Sequence, residues 1–299
     1  MEPELILDAH AQLGEGPAWD AASQRLLWVD IYARTLHRFD PVSGSEETFG
    51  FSEFLGCVAP CNPAWESPSG FTGSLVVGLK SGPALVDSTC GDWDYLALPE
   101  PLLPGNRFND GKCDPAGRFL LGSMDNAEQQ ATGTLYSYSP DGTLKTLLTE
   151  LRISNGLTWS PDHRTFYFID TPTHQVQAYD YDLTTGAIAN PRTVVEVPLA
   201  LGWPDGMTSD SEGKLWVAIW GGACLTRWDP ATGALLESIP FPALNITAPA
   251  FGGPDLTDLY ITSACKGMSA DDLAKYPLSG GLFRLHPGLR GMETFTFGG

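Results

Sequence analysis

Gly206-Met-Thr-Ser-Asp210, Gly213-Lys-Leu-Trp-Val217, Leu225-Thr-Arg-Trp-Asp-Pro230 and Thr232-Gly233 follow one another in the second half of the chain. They are short apolar or alternating runs, each cut by Gly, Pro or Asp, and they read as strands joined by tight turns. The same order recurs. Gly156-Leu-Thr-Trp-Ser-Pro161 leads to Thr165-Phe-Tyr-Phe-Ile169, Val176-Gln-Ala-Tyr-Asp180 and Thr185-Gly186. Gly16-Pro-Ala-Trp-Asp20 leads to Arg25-Leu-Leu-Trp-Val29, Leu36-His-Arg-Phe-Asp-Pro41 and Ser43-Gly44. Gly111-Lys-Cys-Asp-Pro115 leads to Gly117-Arg-Phe-Leu-Leu-Gly122, Gly133-Thr-Leu-Tyr136 and Asp141-Gly142. A fifth copy runs through Phe251-Gly-Gly-Pro-Asp255, Leu259-Tyr-Ile-Thr262 and Gly281-Leu-Phe-Arg284. A fainter one covers residues 61–87, with Gly73-Ser-Leu-Val-Val-Gly78 as its second strand.

Successive opening glycines lie 95, 45 and 50 residues apart, and the first gap holds two units. A period of this length with several strands per unit predicts an all-β, six-bladed β-propeller formed by residues 1–299 as one domain. Helical repeats would show 3.6-residue patterning, which is missing. Glu4-Leu-Ile-Leu-Asp8 and Glu293-Thr-Phe-Thr-Phe297 are both strand-like, and the expectation is that they complete one blade together and close the ring. The 33 Gly and 24 Pro, spread along the chain, supply the turns such a fold needs.

Composition removes whole classes of function. Lys and Arg number 17 against 36 Asp and Glu, a net charge of −19, the opposite of a phosphate-binding surface. Neither nucleic acid nor an anionic membrane is expected as a partner. No apolar run reaches the ~18 residues of a membrane span, and residues 1–15 lack the basic start and apolar run of a secretion signal. Six scattered cysteines without CxxC spacing read as reduced, packed thiols, and the expected location is cytoplasmic.

In a propeller the residue leading into each innermost strand sits at the mouth of the central channel. Here that is the position before each opening glycine: Glu15, Asp110, Asn155 and Asp205, with Arg107 and Asn109 just upstream of Asp110. The equivalent places in the other two units, around residues 55–58 and 248–251, are apolar. Asp or Asn before Gly is an ordinary turn pair, but repeat equivalence brings Glu15, Asn155 and Asp205 round one axis. Two carboxylates and an amide oxygen are hard donors suited to a divalent cation, and three protein donors leave positions open for water and substrate. There is no G-x-S-x-G elbow, H-E-x-x-H pair or P-loop. The five histidines share no repeat position and read as surface or turn residues, and Cys113 reads as packing. Trp203 and Trp220, flanking the Asp205 segment, fit either a pocket wall or a blade core. Trp19, Trp159, Trp216 and Trp228 read as core between blades.

Leu13-Gly-Glu-Gly-Pro17, Asn106-Arg-Phe-Asn-Asp-Gly-Lys112 with Asp114-Pro-Ala-Gly-Arg118, Ser154-Asn-Gly-Leu157, Pro204-Asp-Gly206 and Phe251-Gly-Gly-Pro-Asp255 resemble the SMP-30/gluconolactonase/regucalcin family over essentially the whole chain. Cys265-Lys-Gly-Met-Ser and Tyr276-Pro-Leu-Ser-Gly-Gly-Leu-Phe283 resemble its bacterial sugar-acid lactonases, the xylono- and arabinonolactonase branch. The resemblance implies one divalent metal (Ca²⁺, Zn²⁺, Mn²⁺, Mg²⁺ or Fe²⁺) on Glu15, Asn155 and Asp205, with Arg107 and Asn109 contacting substrate. Where regucalcin has Met-Ala-Glu-Glu, this chain has Met124-Asp-Asn-Ala127, so Ala127 replaces the second Glu and Asp125 or Asn126 are its stand-ins. The implied reaction is hydrolysis of a sugar-acid lactone by a monomer or weak dimer, with Asp205 or metal-activated water alone handling the proton. The alternatives are another metal-dependent ester or phosphotriester hydrolase on the same fold, or a non-enzymatic calcium-binding propeller.

Overall fold

A computed structural model of the chain describes residues 1–67 and 70–299. The first strand, β1 (Glu4–Leu7), pairs last. Blade one is β2 (Gly14–Asp20), β3 (Arg25–Asp30), β4 (Thr35–Phe39) and β5 (Glu46–Gly50). Blade two is β6 (Leu55–Pro60), β7 (Leu75–Leu79), β8 (Pro83–Val86) and β9 (Trp93–Tyr95). Blade three is β10 (Asn106–Cys113), β11 (Phe119–Asp125), β12 (Gly133–Tyr138) and β13 (Leu144–Leu151). Blade four is β14 (Ser154–Trp159), β15 (Thr165–Asp170), β16 (Gln175–Asp182) and β17 (Ala187–Glu196). Blade five is β18 (Trp203–Ser209), β19 (Leu215–Trp220), β20 (Cys224–Asp229) and β21 (Ala234–Pro240). Blade six is β22 (Asn245–Gly252), β23 (Asp258–Ala264), β24 (Leu282–Leu285) and, outermost, β1. Each is a four-stranded antiparallel sheet, and the short helix α1 (Ala270–Lys275) sits between β23 and β24.

Each innermost strand touches the next round the axis, and β22 returns to β2, so the six-bladed ring is closed. Burial follows position in the blade. The inner strands are buried along nearly their whole length, whereas the outer strands β5, β13, β17 and β21 alternate or are exposed. The core lies between neighbouring sheets: Leu27 and Val29 of blade one pack with Val58 and Val77 of blade two. The aromatic registers are core as expected, Trp159 with Phe166 and Tyr181, Trp216 with Phe251, Trp19 stacked on Tyr260. Trp228 packs with Met207 and Val217, and Cys113 is buried against Phe119 and Phe297. The Asp-rich turns close the outer hairpins through their own side chains: Asp40 Oδ1 accepts from Val42 N at 2.9 Å and Asp229 Oδ1 from Ala231 N at 3.1 Å.

Ring closure differs from the expectation in one respect. The N-terminal strand does complete the last blade, but its partner is β24, with Glu4 opposite Arg284. Residues 293–297 join no blade. That segment crosses the far end of the channel, bridged once to Cys61 through Phe297, which lies against Trp65 and Tyr138. The reason is packing: every blade already holds four strands, and Phe297 gains complete burial by capping the apolar cluster of blades two and three.

Candidate functional site

All six inner strands break register with their neighbours at the same point. The shifts fall at Glu15/Ala18, Leu55/Cys57, Phe108/Gly111, Asn155/Leu157, Pro204/Met207 and Ile246/Pro249. A bulge puts an extra residue on one strand and re-aims its side chain. Here it turns Glu15, Asn155 and Asp205 toward the axis. The glycine that follows is required by close approach: a Cβ on Gly156 would lie 2.6 Å from the Asp205 carbonyl oxygen of the next inner strand. The repeat pattern of a polar residue before glycine is thus one device, a bulge that aims a side chain and a gap that lets the neighbouring backbone in.

The mouth opens into a cavity of about 520 Å³ whose lining includes Glu15, Arg107, Asn109, Asn155 and Asp205. Those five side chains are buried, none more than 6% exposed. Hydrogen bonds fix their directions. Arg107 Nε donates to Asn126 Oδ1 at 2.9 Å, and its Nη1 donates to Asn109 Oδ1 at 2.5 Å and Phe108 O at 3.2 Å. Asn109 Nδ2 donates to Ser154 O at 2.9 Å and Asn155 Oδ1 at 3.3 Å. Asn155 spends its Nδ2 on Thr171 Oγ1 at 3.0 Å, and Thr171 Oγ1 donates onward to Pro204 O at 2.8 Å. Asn155 Oδ1, which accepts from Asn109 Nδ2 at 3.3 Å, keeps acceptor capacity for a further partner.

Electrostatically the site is unfinished. Glu15 Oε2 accepts from the Gly16 N–H at 3.1 Å, and Asp205 Oδ1 is buried with no protein partner. Burial, reinforced by the Asp110 charge, pushes the Glu15 carboxyl up to about 8. Burial and then the Glu15 and Asp110 charges push Asp205 well up. Below them Asp110 accepts from its own Gly111 N–H at 2.7 Å, and Lys112 Nζ reaches Met207 O at 2.5 Å. Two buried carboxylates, one with an orphaned oxygen, beside an oriented amide oxygen are a donor set that fits a hard divalent cation. Among the described residues no three His, Cys, Asp or Glu side chains form a metal-binding group.

The rim holds residues that the repeat pattern did not single out. Glu128, Arg152, Thr171, Pro172 and Lys266 line the cavity, and so do Trp203 and Trp220, which the sequence left between a pocket wall and a blade core. Lys266 Nζ pairs with Glu128 Oε1 at 2.6 Å, joining blades six and three. Asp125 and Asn126 are placed otherwise than expected. Asp125 accepts from the backbone N–H groups of Ala127, Gln129 and Gln130 at 3.0–3.2 Å and does not line the cavity. Asn126 is one step behind the wall, holding Arg107. The carboxylate this turn offers the cavity is Glu128, in a left-handed conformation at φ 60°. Alignment to Met124-Asp-Asn-Ala127 stops one residue short of it.

A profile of the SMP-30/Gluconolactonase/LRE-like region matches residues 13–265. Over 299 residues the chain is 38% identical to regucalcin of Danio rerio, covering 99% of this chain and 98% of that protein. It is 35% identical to the candidate sugar lactone lactonase YvrE of Bacillus subtilis (strain 168), covering 100% of this chain and 99% of that one. A solved calcium-binding protein, regucalcin from Agrobacterium tumefaciens strain C58, superimposes with a TM-score of 0.90 at 28% identity, covering 98% of this chain and 96% of that chain.

Proposed function

The chain belongs to the SMP-30/gluconolactonase/LRE-like family, and from that premise we propose that it hydrolyses a sugar-acid lactone, an aldonolactone of the xylono-, arabinono- or glucono- type, to the open acid. The observation that carries the reading is the juxtaposition, in one cavity, of two buried carboxylates, one with an orphaned oxygen, and an oriented amide oxygen with the hydrogen-bonding pair Arg107 and Asn109. Glu15, Asn155 and Asp205 would hold one divalent cation, Ca²⁺, Zn²⁺, Mn²⁺, Mg²⁺ or Fe²⁺, whose bond to oxygen ligands does not distinguish among them. When bound, such an ion supplies Lewis acidity toward a carbonyl oxygen and acidifies water.

The chain's own groups do the rest. Arg107, locked by Asn126 and Asn109, presents a rigid guanidinium to the sugar hydroxyls, and Asn109 shares that task. In the hydrolysis a water oxygen bonds to the lactone carbonyl carbon and the bond from that carbon to the ring oxygen breaks. The water proton passes to Asp205 Oδ1 and then to the departing ring oxygen, which becomes a hydroxyl. Asp205 Oδ1, buried at the cavity with no protein partner, is placed for that role. A purely cation-binding propeller would leave Arg107 and Asn109 with no ligand to position.

Asp205→Ala is the direct test. Proton release on adding xylono-, arabinono- or gluconolactone should fall at least ~10²-fold, with the circular dichroism of the folded protein retained. A folded D205A that keeps the wild-type rate would remove Asp205 from the reaction, and a wild-type rate no faster than the spontaneous one would remove the lactonase reading.

A further inference from the structure

Trp203 is 46% exposed, at the first position of β18, two residues before Asp205. The register shift between Pro204 and Met207 re-aims the strand just after it, and both side chains line the cavity. An indole left half in water at the entrance to a polar cavity gives up burial that the core tryptophans of the other blades obtain. The protein also supports it at a cost. His174, in a left-handed conformation at φ 56°, sets its ring against Trp203 with centroids 4.3 Å apart and planes tilted by 40°, and both imidazole nitrogens are buried without a hydrogen-bond partner. Burial pushes the proton affinity of His174 down, so the ring is a neutral aromatic prop and not a charged one. Trp220, directly opposite Trp203 across the strand pair, continues the wall.

Resting on the lactonase reading, we propose that Trp203, propped by His174, is the stacking platform for the sugar: the C–H face of the lactone ring lies on the indole while its hydroxyls meet Arg107 and Asn109. A monosaccharide ring is amphipathic in the required way. Its C–H bonds carry partial positive charge that suits the negative face of an aromatic ring, and its hydroxyls project sideways toward hydrogen-bonding groups. Arg107 and Asn109 stand on β10, two blades from Trp203, so the polar and aromatic surfaces approach the cavity from different directions. A ligand held in this way has one face on the indole and one edge on the guanidinium. That fixes which end of the molecule is turned toward Asp205.

The test uses Mn²⁺-loaded wild type, W203A, W203F and H174A. KM and kcat are measured on D-xylono-1,4-lactone and D-glucono-1,5-lactone. Calorimetry gives the binding of D-gluconate and, on the stripped proteins, of Mn²⁺. W203A is expected to raise KM and weaken gluconate about tenfold, with kcat and Mn²⁺ affinity within about twofold of wild type. W203F should restore most of the loss, because the stacking face survives, and H174A should fall between wild type and W203A. Unchanged KM and gluconate binding in W203A would overturn the inference. So would a parallel loss of Mn²⁺ affinity, which would make Trp203 a support for Asp205. If wild type binds gluconate through Trp203 but hydrolyses neither lactone, the platform stands and the lactonase reading fails.

Discussion

Glu15 and Asp205 carry negative charge into a place that burial makes hostile to it, and the consequence is a definite dependence on pH. Glu15 titrates at 4.5 in its ordinary state and at about 8 in the folded, cation-free protein, with burial the larger cause and Asp110 the next. The folded state therefore binds the proton more tightly than the unfolded chain, and the stability this confers is complete below pH 4.5 and lost as pH rises through about 8. Asp205 moves in the same direction. The turn carboxylates Asp40, Asp87 and Asp229, pulled below 3.8 mainly by side-chain hydrogen bonds, have finished titrating before that window opens. Cation-free protein is accordingly expected to lose Tm between pH 5 and 8, and saturating Mn²⁺ or Ca²⁺ should flatten that slope. A cation-free Tm that holds or climbs across the window would show that these carboxylates are compensated by something else. At this scale the sequence was readable where a residue repeats and unreadable where it stands alone. Glu15, Asn155 and Asp205 were found through one shared position. Asp125 ends the second strand of its blade, as Asp30 and Asp170 do, and like them spends its carboxylate on backbone N–H groups. That equivalence was available in the sequence and argued against a substrate contact. Glu128 had no such signal, because a left-handed turn residue has no repeat partner to mark its direction.

Strands and turns were legible because each blade obeys the same local rules. Apolar alternation marks the strands, and Asp, Pro and Gly mark where they stop, so the six units emerge from spacing alone. The tail was not legible. Glu293-Thr-Phe-Thr-Phe297 has the alternation of a strand, but a strand needs a free edge, and β1 already occupies the outer edge of blade six. Local pattern cannot report that competition. Buried charge also ties elements together. Asp210 follows β18 and takes hydrogen bonds from Glu212 N, Lys214 N, Trp216 Nε1 and Arg227 Nε at 2.9–3.0 Å, anchoring β19 and β20 to the inner strand. A related cluster joins blades three and four, where Asp114 takes hydrogen bonds from Arg118 and from Tyr181 of β16. Removing Asp210 takes away the one buried counter-ion of Arg227, so Asp210→Ala should cost about 3–5 kcal/mol in urea-induced unfolding. A loss under 1 kcal/mol would mean that Glu212 and Glu237, which also contact Arg227, carry the charge without Asp210.

The whole molecule serves to hold a small set of side chains at one end of an axis. Six inner strands meet in a closed ring, so a residue aimed inward from one blade is held by the packing of all six. The far end of the channel narrows to a space of about 60 Å³ lined by Thr158, Thr208, Phe251 and the C-terminal segment, which leaves the wide mouth as the place for a ligand. A chain of net charge −19 sets three of its 17 Lys and Arg side chains, Arg107, Arg152 and Lys266, around that mouth. No helix among the described residues is long and apolar enough to cross a membrane. What the ring is for can be read in one experiment: titration of chelator-stripped protein with Mn²⁺ while proton release from D-xylono-1,4-lactone is followed in weak buffer. The rate should rise from the spontaneous background and level off at one equivalent of metal per chain, and a chain carrying Asn155→Ala should need far more. Full hydrolysis by the stripped protein, or none at any metal concentration in protein shown to be folded, would contradict a single catalytic cation held by Glu15, Asn155 and Asp205.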